Sequence, residues 1–484
     1  MGNAVAYLML LSWPAVCVAF FARLSVERAL IWSIVGAYML LPPRTNIDLP
    51  LVPAMDKYSI PNLSVLLIIV AFLGLRPSFV PRHAITKLLV LMMLLGSVFT
   101  VLANPDAILF QQRFDTDPIV FRVGELPGLR LIDTLSVLAD LLIMLIPLLL
   151  ARVYLSTDKG LRELVFAFAI AGLIYTIPAL IEIRFSPQMN VWVYGFFQHS
   201  FDQMIRDGGF RPIVFMPHAL WLALFFVMAL AASAALMREA THQTRWRYML
   251  AVGWLMITLY LGKSLASQIY MALLLPLILL AAPKWQIRIA FLFAAVAVVY
   301  PMLRNLGLVP LDLILAKIEL INPDRAQSLG FRFTNEELLL DRAAERPVFG
   351  WGSWGRNLVH FETTGEIMTI ADARWILIFG TYGWFGYISQ MGLVALPLIL
   401  MAWCVHKRPD VTLSPMIAPL CLMLGFTMVD MLLNDTLVPM TLLMVGAILG
   451  YAERVLLPEV EKRRLFPGGP AIGRGEKPAK RTVL

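Results

Sequence analysis

Apolar residues dominate this chain in runs of helical length, separated by short polar connections. The runs lie near 4–22, 28–43, 60–75, 84–103, 131–151, 162–181, 212–236, 248–265, 268–282, 289–310, 375–404, 413–430 and 436–455. Most approach the roughly 20 residues that a helix needs to cross hydrocarbon, although 28–43 and 268–282 are short. The alternating polar and apolar strands of an outer-membrane barrel are absent from the sequence. The pattern predicts an all-α, polytopic membrane protein with about 12–13 transmembrane helices.

Composition supports the same class of protein. Hydrophobic residues make up 59% of the 484 residues and charged residues 15%, against about 25% charged residues in a soluble domain. The three cysteines lie in apolar runs and form no ligand cluster, so we interpret them as small core residues. The N-terminus lacks a cationic region, and no cleaved signal peptide is expected.

Lysine and arginine concentrate in alternate connections. The cationic connections are 76–87, 238–247, 284–288 and 406–408, together with the tail from Lys462 to Arg481. Because short cytoplasmic connections carry an excess of these residues, this side is assigned to the cytoplasm of a bacterial inner membrane. The net charge of +8 therefore reports orientation, and no nucleic-acid partner is expected. The tail is rich in Gly, Pro and Lys and is predicted to be disordered.

Three long segments, 104–130, 182–211 and 311–373, fall on the opposite, periplasmic side. The last is far longer than an ordinary connection, and such loops are usually functional or disordered. Its stretch RFTNEELLLDRAAERPVFGWGSWG combines Thr334 and Glu337 as a capping box with Pro347 as a helix stop. We therefore predict a short amphipathic helix at the membrane surface. The turn GWGSWG is either flexible or a place where backbone closely approaches a ligand.

Arginines on this side suggest an anion site. Arg332 is predicted just before the amphipathic helix, where free N–H groups favour anions, although an ordinary loop salt bridge is the alternative. The segment 182–211 adds Arg184, Arg206 and Arg211. Arginines are unexpected on the periplasmic side, because the positive-inside bias favours them on the cytoplasmic side. Guanidinium groups suit bidentate recognition of phosphate. His218, seven residues beyond Arg211, is either a buried hydrogen-bonded imidazole or part of the pocket.

Several ionisable residues lie inside the apolar runs: Asp133, Asp140, Lys263, Arg304 and Asp430. Such residues normally face the interior of the bundle and are functional candidates by default. Lys263 and Asp430 lie near predicted helix ends, so we expect their side chains to snorkel to the interface.

With these motifs, the chain resembles the O-antigen ligase and O-antigen (exopolysaccharide) polymerase superfamily of bacterial inner-membrane proteins. The resemblance is carried, in order, by GGFRPIVFMPHA, LYLGKSLASQIYMALLLPL, RFTNEELLLDRAAERPVFGWGSWG and ADARWILIFGTYGWFGYI, and covers about 180 to 400. The family has a Ser-Arg pair where this chain has Lys263-Ser264. It has His-Asn where this chain has Asp372-Ala373. The N-terminal helices add only hydropathy to the likeness.

The resemblance implies a membrane glycosyltransferase that moves a glycan from undecaprenyl diphosphate to an acceptor hydroxyl at the periplasmic face. The acceptor is another lipid-linked repeat in a polymerase of exopolysaccharide biosynthesis, or lipid A-core in a ligase of lipopolysaccharide biosynthesis. No metal or other cofactor is expected. Besides membrane lipids, polysaccharide export or length-control proteins are the expected partners. The implied division is 1–180 (N-terminal transmembrane helices), 181–456 (catalytic membrane region with loops 182–211 and 311–373) and 457–484 (basic cytoplasmic tail).

The implied site contains Arg211 and Arg332 on the diphosphate and Asp372 in the position of the family's histidine. Departure of a lipid diphosphate develops negative charge that preorganised arginines stabilise, and a carboxylate or imidazole can take the acceptor's proton. Further substrate-binding candidates are Arg184, Arg206, His218, Arg342, Arg346, Trp351 and Trp354.

Two other classes of protein remain open. A transporter of the same lipid-linked sugars would show internal repeats and interrupted helices in matching halves, and neither is visible in the sequence. A non-catalytic assembly partner in polysaccharide export is compatible with Asp372 in place of histidine.

Overall fold

A computed structural model of the chain describes residues 2–48, 53–114, 117–206, 208–320, 322–408 and 410–457, and they are mostly α-helical. The helices are α1 (Ala4–Arg23), α2 (Val26–Leu40), α3 (Ser59–Leu67, continued by a π-helical turn Ile68–Phe72), α4 (Ala84–Leu102), α5 (Asp133–Tyr154), α6 (Asp158–Phe185), α7 (Met189–Tyr194), α8 (Ala219–Glu239), α9 (His242–Leu261), α10 (Leu265–Leu280), α11 (Pro283–Asn305), α12 (Leu311–Glu319), α13 (Pro323–Ala344), α14 (Arg374–Lys407), α15 (Ile417–Asp430) and α16 (Pro439–Leu456). The strands form two antiparallel hairpins, β1 (Ile108–Phe114) with β2 (Asp117–Leu126) and β3 (Ile205–Arg206) with β4 (Gly209–Phe210).

Within the described residues, eight helices are long and apolar enough to cross a membrane: α1, α4, α5, α6, α8, α11, α14 and α16. Shorter apolar helices lie at Ser59–Phe72, Leu265–Leu280 and Ile417–Asp430. Each apolar run of the sequence overlaps a helix. The predicted helical, membrane-compatible class is thereby confirmed.

The two halves of the chain share one core. The helix α5 packs along α16, α4 along α14, and α6 along α8. Gly446 and Gly450, one turn apart on α16, allow this helix to approach the backbone of α5 closely. A Cβ atom at either position would lie 2.1 Å from a backbone oxygen of α5, that of Leu148 or Arg152. Small residues at this spacing let membrane helices approach closely.

The connections alternate between two ends of the bundle, as the charge pattern predicts. At the cationic end, Glu453 of α16 pairs with Arg152 at 2.8 Å and accepts the backbone N–H groups of Arg82 and His83. Arg408 also reaches this end and donates to the carbonyl of Val455. The long segments 104–130, 182–211 and 311–373 lie at the other end, called the loop end below. Residues 458–484, the predicted tail, lie outside the described residues.

The capping box predicted at Thr334 is wrong. The cap of helix α13 lies twelve residues earlier, where the Asn322 side chain accepts the backbone N–H of Arg325 at 3.1 Å and Pro323 occupies the first turn. Asn at the cap and Pro in the first turn form a strong start signal. Inside the helix, the Thr334 hydroxyl bonds back to the carbonyl of Gly330 instead of capping. Arg332 therefore projects from the middle of α13 and not from its N-terminus.

The predicted helix 212–236 begins later than expected, at Ala219. Residues 212–218 are non-helical, because Pro212 and Pro217 disfavour helix in the residues before them. The buried carboxylate of Glu182 holds this stretch by accepting the backbone N–H groups of Ile213 and Val214, each at 2.7 Å. Arg211 and His218 therefore lie on an anchored loop that precedes α8.

Candidate functional site

Arg332 is held at the loop end by three contacts. Its Nη1 donates to the backbone carbonyl of Leu433 at 3.2 Å and to Oδ1 of Asn434 at 3.4 Å. Its Nε lies 3.5 Å from Oδ2 of Asp372, and the side chains are 22% and 42% exposed. Within the described residues, no hydrogen bond uses Nη2 of Arg332. The guanidinium is thus fixed in orientation and keeps a donor for a ligand.

Asn434 extends this network into the bundle. Its Nδ2 donates to Oδ1 of Asp430 at 3.0 Å, and Asp430 is only 4% exposed. The expectation that Asp430 snorkels to the interface is therefore wrong, because the loop between α15 and α16 folds over its carboxylate. Lys263 does lie at a helix end, where its Nζ donates to the carbonyl of Arg206 at 3.1 Å.

Arg211 and His218 occupy the two ends of the loop before α8. Arg211 is 7% exposed, and its backbone N–H donates to the carbonyl of Met204. The Nδ1 atom of His218 accepts the backbone N–H of Leu220 at 3.0 Å, so the imidazole caps α8. His218 also stacks edge-on against His199, with ring centroids 4.5 Å apart. The imidazole of His218 is thus hydrogen-bonded, as the first of its two predicted alternatives requires. It also lies near several charged groups.

Electrostatics show that these groups form one cluster. Burial, as the largest cause, lowers the pKa of His218 to about 3 together with neighbouring His199 and the positive charges of Arg211, Arg332 and Arg44. The same surroundings lower the pKa of His199 through burial and the charge of Arg44, while Asp372 opposes the shift. Arg211 and Arg332, distant in sequence, therefore both lie close enough to His218 to lower its pKa. We call Arg44, His199, Arg211, His218, Arg332 and Asp372 the arginine cluster.

Arg44 and His199 were not predicted. Arg44 is exposed on the connection after α2 and has a left-handed backbone, with φ of 57°. The signal that selected Arg211, an arginine on the side that the positive-inside bias disfavours, applies equally to Arg44. His199 shares the segment 182–211 with the predicted arginines, but nothing in its spacing distinguishes it.

Glu336, one turn after Arg332 on α13, is a third residue that sequence reasoning missed. It is 5% exposed, and its Oε2 has no hydrogen-bond partner among the described residues. Burial raises the pKa of Glu336 to about 7, although Arg304 and Arg332 oppose this shift. A carboxyl group that titrates near neutral pH therefore lies beside the cluster.

The structure places three of the candidate binding residues elsewhere. Arg342 and Arg346 lie over the ring of Trp351, 3.4 and 4.3 Å from its centroid. The Trp351 Nε1–H donates to the carbonyl of Arg342 at 2.7 Å, and Arg346 donates to the carbonyl of Ala103. These contacts attach the end of α13 to the following turn and to α4.

The contacts around Trp351 do not include the remaining candidates, which are Arg184, Arg206 and Trp354. Arg184 is exposed at the end of α6 and lies over Phe185. Arg206 lies in the small hairpin and lines a cavity with Arg325 and Phe331. Trp354 is 55% exposed and lines a different cavity beside α5.

The turn GWGSWG closely approaches protein backbone. The helix α14 is kinked at Gly383, whose φ is 64°, and the residues beside the kink bond to the turn and its approach. The N–H groups of Trp351 and Gly352 donate to the carbonyls of Gly380 and Thr381, each at 2.9 Å. A Cβ atom at Gly350 would lie 2.4 Å from the carbonyl carbon of Thr381. These glycines thus allow the loop to pack into the kink of α14.

In chemical terms, the arginine cluster suits a multivalent anion. Besides burial, three guanidinium groups lower the pKa of His218, and two of them, Arg44 and Arg211, also lower that of His199. The carboxylate of Asp372 is ion-paired to Arg332. Guanidinium groups bind phosphate oxygens through paired N–H donors.

Comparison of the chain with models of known families and with curated proteins finds no match.

Proposed function

We propose that the chain is a membrane glycosyltransferase that moves an oligosaccharide from undecaprenyl diphosphate to an acceptor hydroxyl. The observation that carries the proposal is the convergence of Arg44, Arg211 and Arg332 around His218. The three come from three different connections at the end of the bundle opposite the cationic end. A lipid diphosphate would present its charge at this level of a membrane.

The reaction follows from this arrangement. The acceptor oxygen attacks the anomeric carbon of the donor sugar, and the bond from that carbon to the diphosphate oxygen breaks. The electron pair leaves with the lipid diphosphate, whose developing charge the arginines stabilise. The hydroxyl proton passes to a carboxylate, and Asp372, beside Arg332, is the candidate general base.

The proposal includes a location and a product. The bundle has about 12–13 spans in the bacterial inner membrane, the loop end faces the periplasm, and 311–373 is a periplasmic loop with the surface helices α12 and α13. We propose a polymerase of exopolysaccharide or O-antigen, whose acceptor is a second lipid-linked repeat. Ligation of polymer to lipid A-core uses the same chemistry and is the alternative.

Conservative arginine variants test the site. Arg211→Lys and Arg332→Lys retain the charge but lose the planar pair of donors, so we expect each to reduce polymer formation by tenfold or more, about 1.4 kcal/mol. Arg130→Lys changes an exposed arginine of the same end and should retain normal synthesis. Surface polysaccharide in cells that complement a deletion strain is the measurement. Normal polymer in both cluster variants would contradict the proposed role of these arginines.

Deletion of the gene distinguishes the classes of function. Loss of long polymer with accumulation of single lipid-linked repeats indicates a polymerase. Free long polymer with bare lipid A-core indicates a ligase. Lipid-linked repeats retained at the cytoplasmic face indicate a transporter and would contradict both enzymes.

A further inference from the structure

Two cavities, of about 370 and 450 Å³, adjoin α5 at the loop end. Asp140 and Met144, one turn apart on α5, line both of them. The other walls of the first cavity come mainly from α14, and those of the second from α3 and the start of α16. The shared lining indicates one continuous recess along α5.

The recess adjoins the arginine cluster at three places. Asp435 lines it and directly follows Asn434, which accepts a hydrogen bond from Arg332. Trp221 lines it and donates its backbone N–H to the carbonyl of His218 at 3.1 Å. Arg374 lines it two residues after Asp372. A molecule in the recess would therefore lie next to a molecule bound by the cluster.

The charges of the recess differ from those of the cluster. Its one arginine, among the described residues that line it, is already bound, because Arg374 pairs with Asp435 at 3.2 Å and donates to Gln390 at 2.8 Å. Asp56 and Asp140 add carboxylates. This lining disfavours a second diphosphate and offers acceptors to a ligand that carries hydroxyl groups.

Several polar groups of the recess lack partners. Asp140 lies about 10 Å below Asp133 along the apolar helix α5, and it forms no hydrogen bond or ion pair within the described residues. Asn62 is 2% exposed, yet its Oδ1 has no hydrogen-bond partner among those residues, nor has the hydroxyl of Tyr58. Asp140 is exposed, and ionisable residues within membrane-spanning helices normally serve a function. For the buried Asn62, an oxygen without a hydrogen-bond partner is costly.

We infer that this recess binds the acceptor glycan and that Asp140 accepts a hydrogen bond from an acceptor hydroxyl. The inference rests on the proposed function and adds a second substrate site to it. The donor diphosphate occupies the arginine cluster, while the hydroxyl-bearing acceptor enters along α5. The chain segment around Asn434 and Asp435 lies between the two.

Two pairs of variants test the inference. Asp140→Asn removes the charge of Asp140 and leaves a neutral acceptor oxygen. The matched control is Asp133→Asn, which keeps a side-chain oxygen that can accept the N–H of Arg130 at the start of α5. Met144→Trp fills the recess, whereas Leu142→Trp adds the same volume at a position 51% exposed. Each purified variant is reconstituted in liposomes with lipid-linked repeat from the deletion strain as donor. Oligosaccharide released by mild acid from the host's surface polysaccharide is the acceptor.

We expect Asp140→Asn to raise the KM for the acceptor by about tenfold, because a hydrogen bond to a charged acceptor is stronger than one to a neutral amide oxygen. Met144→Trp should raise this KM at least as much, because the larger side chain occupies the recess. Affinity for undecaprenyl diphosphate should stay within about twofold, and both control variants should resemble the wild type. An unchanged acceptor KM in both recess variants would overturn the inference, as would an equal loss of affinity for undecaprenyl diphosphate. Failure of the proposed function is distinct, since it appears as normal activity in the Arg211→Lys and Arg332→Lys variants.

Discussion

At the scale of single residues, the arginine cluster shows how burial and neighbouring charge define chemical roles. His218 has a low pKa because it is buried among cations, so it stays neutral at physiological pH and serves as a hydrogen-bonding group. Asp372 is ion-paired to Arg332, and this contact suits two roles, that of a general base and that of a residue that orients Arg332. A carboxylate beside guanidinium can orient that group or accept a proton.

Three variants of Asp372 separate these roles. If Asp372 is the general base, Asp372→Asn should insert normally but make little polymer, and Asp372→His should restore part of the activity, because imidazole also accepts a proton. If Asp372 only orients Arg332, His should fail while Glu retains more function. Polymer length and amount in complemented cells are the measurement. Full activity of the Asn variant would remove Asp372 from the mechanism.

Glu336 predicts a pH-dependent stability. Its pKa is raised to about 7 in the folded protein, so the folded state holds this proton more tightly than the unfolded chain does. The resulting stabilisation is complete below the usual carboxyl pKa and is lost as pH rises through about 7. Glu336→Gln should therefore lose less stability than the wild type between pH 5 and pH 8.

Thermal unfolding of the detergent-solubilised protein across this pH range provides the measurement. The exposed neighbour Glu337→Gln is the matched control and should follow the wild-type profile. Parallel profiles for Glu336→Gln and the wild type would contradict the assigned protonation.

At the scale of elements, irregular backbone positions the cluster. The loop before α8 is anchored by Glu182, and the kink of α14 receives the glycine-rich turn. In both places, backbone groups without helical partners bond to a neighbouring segment. Non-helical backbone at membrane depth is tolerated where protein covers it.

The kink yields a prediction about stability. Gly350→Ala places a Cβ atom against the backbone of Thr381 at a residue with φ of 68°, so it should destabilise the protein by about 2 kcal/mol or more. Gly253→Ala, on α9 with no atom within 4 Å of the added Cβ, is the control and should change little or stabilise slightly. The thermal unfolding midpoint measures both. Equal midpoints would show that the turn adapts without cost.

At the scale of the whole molecule, the connections divide between two ends of one bundle. At the cationic end, the connection 76–87 and Arg152 bond to Glu453, whereas the arginine cluster lies at the loop end. If the positive-inside bias sets the orientation, the two ends face different compartments.

Cysteine labelling tests this orientation. Ser200→Cys and Thr364→Cys are exposed at the loop end and should react with an impermeant thiol reagent in intact spheroplasts. Gln243→Cys, exposed in the first turn of α9 at the cationic end, should react only after the membrane is opened. The native cysteines are buried, so background labelling should be low. The reverse pattern would remove the proposed periplasmic site.

The sequence by itself determined the helical class, the alternation of connections and the arginines of the cluster that stand against the positive-inside bias. These features are readable because hydrophobic length and charge placement act locally along the chain. Helix starts at Asn322 and Ala219 were misjudged, since competing caps and prolines decide them. Only the tertiary structure decided that Arg44 and His199 join the cluster, that Arg342 and Arg346 stack on Trp351, and that Glu336 and Asp430 are buried. These outcomes depend on contacts between distant segments, and neither spacing nor hydropathy encodes which connections meet once the helices have packed.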